Sequence, residues 1–171
     1  MTLRKLLFCI SIVFGATSSI HAQTDSFCIA LHALMADAAN KFVLTKGATI
    51  DVNENAIKWE VKTQVPGVIN ARLVSSMGLF YEGALYQTKS LDALQNAYDQ
   101  YKKQLSTCLG DQYKLTTIDN FNKGMQQYRK LIYMQQVGDK SPVNPPPHVS
   151  MEVDYYKPSG IYTIVMYVWE H

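Results

Sequence analysis

The stretch IKWEVKTQVPGVINARLVSSMGLFYEGALYQT, residues 57–88, decides the fold because it alternates apolar and polar residues and reverses twice. Successive side chains of a β-strand point to opposite faces, so residues 57–65 and 69–77 each predict a half-buried strand. A Pro-Gly pair and a later glycine mark the two reversals. Residues 79–88 are apolar on both faces, which is typical of a central or covered strand. The stretch therefore predicts a three-stranded antiparallel meander.

Two amphipathic helices are predicted on either side of the meander. Residues 26–46 repeat apolar side chains at spacings of three and four, and a glycine follows. Residues 91–109 show the same repeat, with Ser90 as N-cap and Gly110 after the last turn. Residues 48–56 carry several Asp and Asn residues and are interpreted as a solvated connection.

The C-terminal part predicts a second set of strands. Residues 128–137 have strand-like content, and 149–155 and 161–170 read as a hairpin around a Lys-Pro-Ser-Gly turn. The proline-rich segment 138–147 is interpreted as a rigid connection, with an extended peptide ligand as the alternative. Residues 161–170 are apolar on both faces, so a layer, a partner or a second copy must cover the face that helices leave.

Together these elements predict an α+β fold. It consists of an antiparallel sheet of about six strands with two helices packed on one face. Because a helix followed by three strands occurs twice, an αβββ-αβββ internal duplication is a further hypothesis.

The N-terminus has the pattern of a cleaved signal peptide. Arg4 and Lys5 precede an apolar run too short to span a bilayer, and a small-residue cleavage site ends at Ala22. The prediction is a signal peptide over residues 1–22 and a single α+β domain over residues 23–171. The expected location is secreted or periplasmic, with an uncleaved N-terminal anchor as the alternative.

The charge of the chain argues against several partners. Arg4 and Lys5 are two of the 16 basic residues, and the acidic residues number 14, so the mature chain is neutral. No nucleic-acid partner is predicted, because phosphate binding needs clustered Lys and Arg and the charges of the mature chain are evenly mixed. No later stretch is apolar enough to predict a membrane span after signal cleavage.

The cysteines predict one disulfide. Cys28 and Cys108 are the two that remain after Cys9 is removed with the signal peptide, and export permits their oxidation. Two antiparallel neighbouring helices would bring them together. Two buried free thiols are the alternative.

No recognisable catalytic pattern is present. The nucleophile, metalloprotease, phosphate-loop and dinucleotide motifs are absent, so no catalytic residue, metal or cofactor is predicted. The histidines His32, His148 and His171 form no metal-ligand spacing. Glu60 and Glu82 in neighbouring predicted strands leave a paired-carboxylate site as an alternative to a solvated surface.

Aromatic residues are the unusual content. The predicted binding surface consists of Tyr155, Tyr156, Tyr162, Tyr167 and Trp169, with core packing as the alternative. The sequence thus predicts an exported, disulfide-stapled, non-catalytic binding or adaptor module that uses an aromatic-rich sheet face. Its partner is an unknown protein or small ligand. A small secreted hydrolase with an unrecognised site and a homodimeric structural protein are the alternatives.

Overall fold

The computed structural model describes residues 17–122, 127–136 and 149–170, and within these ranges lie two α-helices and eight strands. In chain order they are α1 (Thr17–Ala38), β1 (Lys46–Val52), β2 (Ile57–Val61), β3 (Ile69–Ser75), β4 (Leu79–Thr88), α2 (Leu91–Leu109), β5 (Tyr113–Asn122), β6 (Gln127–Gln136), β7 (Val149–Tyr156) and β8 (Ile161–Trp169). A short 3-10 turn, Gly110–Gln112, links α2 to β5.

All eight strands form one antiparallel sheet in the order β1-β2-β3-β4-β8-β7-β6-β5. Each half of the chain is a four-stranded meander, and the two meanders join where β4 pairs with β8. The predicted α+β fold, with an antiparallel sheet and two helices, is confirmed. The order of helix and four strands occurs twice, so internal duplication stays a hypothesis.

The sheet contains β1 and β5 in addition to the expected strands. Strand β1 occupies the region interpreted as a solvated connection, at one end of the strand order. Thr49 and Ile50 are both exposed there, so the strand lacks the alternation that marks a half-buried strand. Strand β3 ends at Ser75, and Met77, expected on the apolar face, is 99% exposed in the following turn.

Helix α1 ends eight residues earlier than its apolar repeat predicts, at Ala38. The apolar repeat in the sequence extends to Phe42. This side chain is fully buried, but it lies beyond the end of the helix. The helix also begins earlier than predicted, at Thr17, inside the predicted signal peptide. Cleavage after Ala22 stays a prediction, and it would keep every buried residue that is described in this helix.

The end of α1 is fixed by the buried carboxylate of Asp37. It accepts the main-chain N–H of Leu44 at 3.0 Å and that of Thr45 at 2.7 Å. Lys41 and Phe42 adopt positive φ angles of 60° and 55°, which ends the right-handed helix and turns the chain toward the sheet. Both oxygens of the carboxylate are thus engaged by main-chain donors of the turn that follows the helix.

Both helices pack on the same face of the sheet. The core residues on α1 and α2 include Phe27, Leu31, Leu34, Leu94, Tyr98 and Leu105, and those on the sheet include Leu73, Tyr81, Met151, Ile164, Met166 and Val168. Strands β4 and β8 lie at the centre of the sheet and beneath the helices. The residues of β4 and β8 that face the helices are apolar because the helices bury them from water.

The predicted disulfide is confirmed. Cys28 on α1 and Cys108 on α2 are bonded, with 5.1 Å between their Cα atoms and 80 residues between them in sequence. Beside this bond, Nε2–H of His32 donates to the carbonyl oxygen of Cys108 at 2.8 Å. The two helices are thus joined by a covalent bond and a hydrogen bond near the end of α2. The segment 138–147, His148 and His171 lie outside the described residues.

Candidate binding site on the open sheet face

The face of the sheet opposite the helices carries a row of paired residues across its centre. Cα partners in this row are Glu60 and Arg72, Arg72 and Glu82, Glu82 and Tyr167, and Tyr167 and Ser150. Side chains alternate along a strand, so the residues on either side of Glu82 in sequence face the helices instead. Tyr81, for example, is part of the core beneath the helices. Both described helices pack on that other side. We call the face with the row the open face.

An aromatic cluster of Phe80, Tyr167 and Trp169 lies on the open face. The ring centroid of Phe80 lies 4.4 Å from that of Trp169 and 5.8 Å from that of Tyr167. Nε1–H of Trp169 donates to Oγ of Ser150 at 3.3 Å, which orients the indole across β7. Phe80 is only 8% exposed, because the rings of Tyr167 and Trp169 on β8 cover its side chain on β4. Such contacts between aromatic rings add to the stability gained from burial alone.

The five predicted surface aromatics do not share one face. Tyr167 and Trp169 lie together on the open face. Tyr155 and Tyr162 pair on the helix side, with centroids 4.6 Å apart, and Tyr162 packs against the core. Tyr156 is 65% exposed beside the β7–β8 turn. Whether any of them binds a partner stays a prediction.

Phe80 is the aromatic residue that sequence reasoning did not place at the site. It lies on β4 and meets Tyr167 and Trp169 only because β4 pairs with β8. The local signal was that β4 is apolar on both faces, which predicts that both faces are covered. It does not indicate which residues cover them. The pairing joins strands from the two halves of the chain and has no local sequence signature.

A cavity of about 480 Å³ opens on the same face beside the aromatic cluster. It lies over β3, β4, β8 and β7, and its lining combines polar, charged and apolar residues. The lining residues are Asn70, Arg72, Glu82, Gly83, Ala84, Gln87, Asp154, Val165 and Tyr167. Its volume lies in the range of sites that bind small ligands.

Two irregularities in the strands border this cavity. The pairing of β3 with β4 shifts between Ile69 and Arg72, and the pairing of β4 with β8 shifts between Ala84 and Tyr86. Asn70, within the first shift, has a positive φ of 54°, a conformation that asparagine tolerates better than most residues. Such bulges bend strands and redirect side chains, and they are frequent beside functional sites. They account for the concavity of the sheet at this point.

An ion pair between Arg72 and Glu82 forms one side of the cavity. In the register Arg72 stands between Glu60 on β2 and Glu82 on β4. The two carboxylates expected in neighbouring strands are therefore separated by a strand and by a guanidinium. This arrangement differs from a pair of carboxylates flanking a scissile bond.

The hydroxyl of Tyr167 lies in a negative environment. Burial raises the pKa of Tyr167, and the carboxylates of Asp154, Glu152 and Glu82 raise the pKa further, while Arg72 opposes them. Loss of the proton would add a negative charge to a half-buried group that already faces carboxylates. The phenol is therefore protonated at neutral pH and can donate a hydrogen bond.

The other candidate groups for chemistry in the described part of the chain are His32 and clusters of metal-ligating side chains. His32 is hydrogen-bonded to the main chain of α2 and lies on a helix, away from the lining of the cavity. No three His, Cys, Asp or Glu side chains within the described ranges are grouped as metal ligands. None of the helices described has the length and apolar character needed to cross a membrane.

Comparison with protein-family models, curated proteins and solved structures gives no match. The interpretation of the site therefore rests on its own geometry. That geometry defines the class of protein as a disulfide-bonded α+β protein, with helices on one face of an eight-stranded sheet and a cavity on the other.

Proposed function

We propose that the protein is an exported, non-catalytic binding module whose open face holds a segment of a partner protein. The observation that carries this proposal is the cavity beside the aromatic cluster of Phe80, Tyr167 and Trp169. Large aromatic side chains next to a pocket supply much of the affinity in protein interfaces. The cavity provides a place for one side chain of the partner, and the cluster provides contact area around it.

Export is supported by the disulfide between Cys28 and Cys108. Disulfides persist in oxidising compartments and are rare in the cytosol. The predicted signal peptide over residues 1–22 agrees with this. The proposed location is the periplasm or the exterior of the cell.

A non-catalytic role is supported by what surrounds the polar groups of the open face. Arg72 is paired with Glu82, and the phenol of Tyr167 keeps its proton at neutral pH. Neither arrangement resembles a nucleophile beside a general base. The charged groups are better suited to recognition than to proton transfer.

The test uses a phage-displayed library of random ten-residue peptides as probe and the exported full-length chain as target. Selected peptides are titrated calorimetrically against the wild type, Tyr167→Ala and Ile29→Ala. We expect Tyr167→Ala to weaken binding by about tenfold or more, as for a residue at the centre of an interface. Ile29→Ala removes an exposed side chain from α1, on the other side of the sheet, and should leave binding unchanged.

Two results would contradict the proposal. One is a library that yields no peptide whose binding depends on Tyr167. The other is a concentration-dependent dimer in sedimentation that Tyr167→Ala dissociates, because the open face would then be an interface between two copies. Circular dichroism of each variant shows whether the fold is retained.

A further inference from the structure

The shape of the cavity depends on an extra residue in β4. The register of β4 with β8 passes from Ala84 directly to Tyr86, while β8 advances by a single residue. Leu85 therefore has no Cα partner on β8. This is the arrangement of a β-bulge, in which two residues of one strand oppose one residue of its neighbour. The side chain of Leu85 is buried in the core beneath the helices.

The bulge decides which side chains of β4 reach the cavity. Successive side chains of a regular strand alternate between its faces, so Ala84 and Gln87, three residues apart, would point to opposite sides of the sheet. Both nevertheless line the cavity on the open face. Gln87 pairs with Thr163 of β8, and its Nε2–H donates to Oγ1 of Thr163 at 3.4 Å. The extra residue thus places Gln87 on the open face instead of the helix side.

A side chain from the helix layer holds the bulged residue. The hydroxyl of Tyr101 on α2 donates to the main-chain carbonyl oxygen of Leu85 at 2.8 Å. The register gives Leu85 no partner on β3 or β8, and a buried carbonyl needs a donor. Burial raises the pKa of Tyr101, and the neighbouring phenol of Tyr86 raises it further, so the hydroxyl keeps its proton at neutral pH. Tyr101 therefore supplies the donor that the bulged conformation requires.

We infer that Tyr101 is a positioning residue of the binding site, although it lies on the opposite side of the sheet from the cavity. Its hydrogen bond to Leu85 stabilises the bulge, and the bulge presents Gln87 to the partner segment. Gln87 is exposed, and its amide offers both a donor and an acceptor to the main chain of that segment. The inference rests on the proposed function and adds the residues that shape the site.

The experiment titrates a Tyr167-dependent peptide from the display selection calorimetrically against the wild type, Tyr101→Phe, Gln87→Ala and the double variant. Tyr101→Phe removes one hydroxyl and keeps the ring. It should weaken binding by about three- to tenfold, which corresponds to the loss of one hydrogen bond. Gln87→Ala should weaken binding by a similar factor.

The double variant separates positioning of Gln87 from general support of the fold. Once Gln87 is replaced by alanine, a change in the bulge has no amide left to displace, so the double variant should bind as tightly as the weaker single variant. Tyr113→Phe is the matched control. It removes the hydroxyl of another half-buried tyrosine that packs on the core, and it should leave binding unchanged.

Amide hydrogen exchange of the free protein tests the same contact without a peptide. Tyr101→Phe should speed exchange of the main-chain amides of Tyr86 and Gln87 by about threefold or more, while exchange in β7 stays as in the wild type, because only the bulge opens more often. Tyr113→Phe should leave the exchange of Tyr86 and Gln87 unchanged.

The outcomes separate this inference from the proposed function. Wild-type affinity in folded Tyr101→Phe overturns the inference, and so do losses that add in the double variant. Equal acceleration of exchange in β4 and β7 also overturns it, because the hydroxyl would then support the fold as a whole. If no peptide binds through Tyr167, the proposed function fails, and exchange at Gln87 still decides whether Tyr101 holds the bulge.

Discussion

At the scale of single residues, Gly83 shows how closely the layers approach. A Cβ added to Gly83 would clash with Cγ1 of Val68 in the loop between β2 and β3. We expect Gly83→Ala to lower the free energy of unfolding by about 1 to 3 kcal/mol, because the added methyl overpacks the core. Urea denaturation measures this.

A double-mutant cycle checks the cause. Val68→Ala introduced together with Gly83→Ala should recover part of the loss, since the contact would be removed. Gly78→Ala is the control, because no atom lies within 4 Å of a Cβ built there. A Gly83→Ala protein as stable as the wild type would show that Val68 moves aside at no cost.

Tyr81 provides a second prediction at this scale. Burial raises the pKa of Tyr81 from 10.0 to about 12, and the main chain of Val65 partly opposes the rise. A folded-state pKa above the unfolded value means that the stabilisation is present below pH 10 and is lost as the pH rises toward 12. The unfolded chain releases its proton first, so alkaline pH favours unfolding.

Tyr81→Phe should therefore flatten the alkaline loss of stability. Between about pH 9 and pH 11 the wild type should lose about 1 kcal/mol more than the variant. Urea midpoints across this range measure the difference, with Tyr156→Phe as the exposed control. Parallel pH profiles for wild type and Tyr81→Phe would be evidence against the role of Tyr81.

At the scale of elements, the disulfide joins the two helices that cover the sheet. Replacing both Cys28 and Cys108 with alanine should lower the free energy of unfolding by about 4 to 5 kcal/mol, from the entropy of closing an 80-residue loop. Chemical denaturation of the oxidised, reduced and double-alanine proteins measures it. Reduced wild type should match the variant, and a variant within about 1 kcal/mol of the oxidised protein would contradict the estimate of loop entropy.

The helices also show which elements local sequence predicts. Both ends of α2 are as expected because Ser90 caps Ala93 N–H and Gly110 adopts a positive φ of 62°. These signals lie within a few residues of the helix ends. The predicted end of α1 was wrong because Phe42, which is buried outside the helix, prolongs the apolar repeat in the sequence. The buried carboxylate of Asp37, which ends that helix, gives no periodic signal.

At the scale of the whole molecule, the N-terminal segment is the part whose fate is open to direct measurement. We expect the exported chain to begin at Gln23, because the small-residue site ends at Ala22. Intact mass and N-terminal sequencing of the exported protein check this. A mature chain that retains residues 1–22 would favour the anchored alternative.

The sequence by itself determined the strands of the meander, the C-terminal hairpin, α2 and the pairing of the cysteines. Alternation, capping residues and turn residues act over a few neighbours along the chain, so they can be read directly. The cysteine pairing followed from there being two cysteines after the predicted signal peptide.

The tertiary structure alone decided which strands are neighbours and what lies on each face. Tyr155 and Tyr162 go to the helix side, while Tyr167 and Trp169 meet Phe80 across the β4–β8 pairing. That pairing depends on packing between distant parts of the chain, and a shift of one residue would exchange the two faces. The cavity exists only because this register brings residues of four strands together.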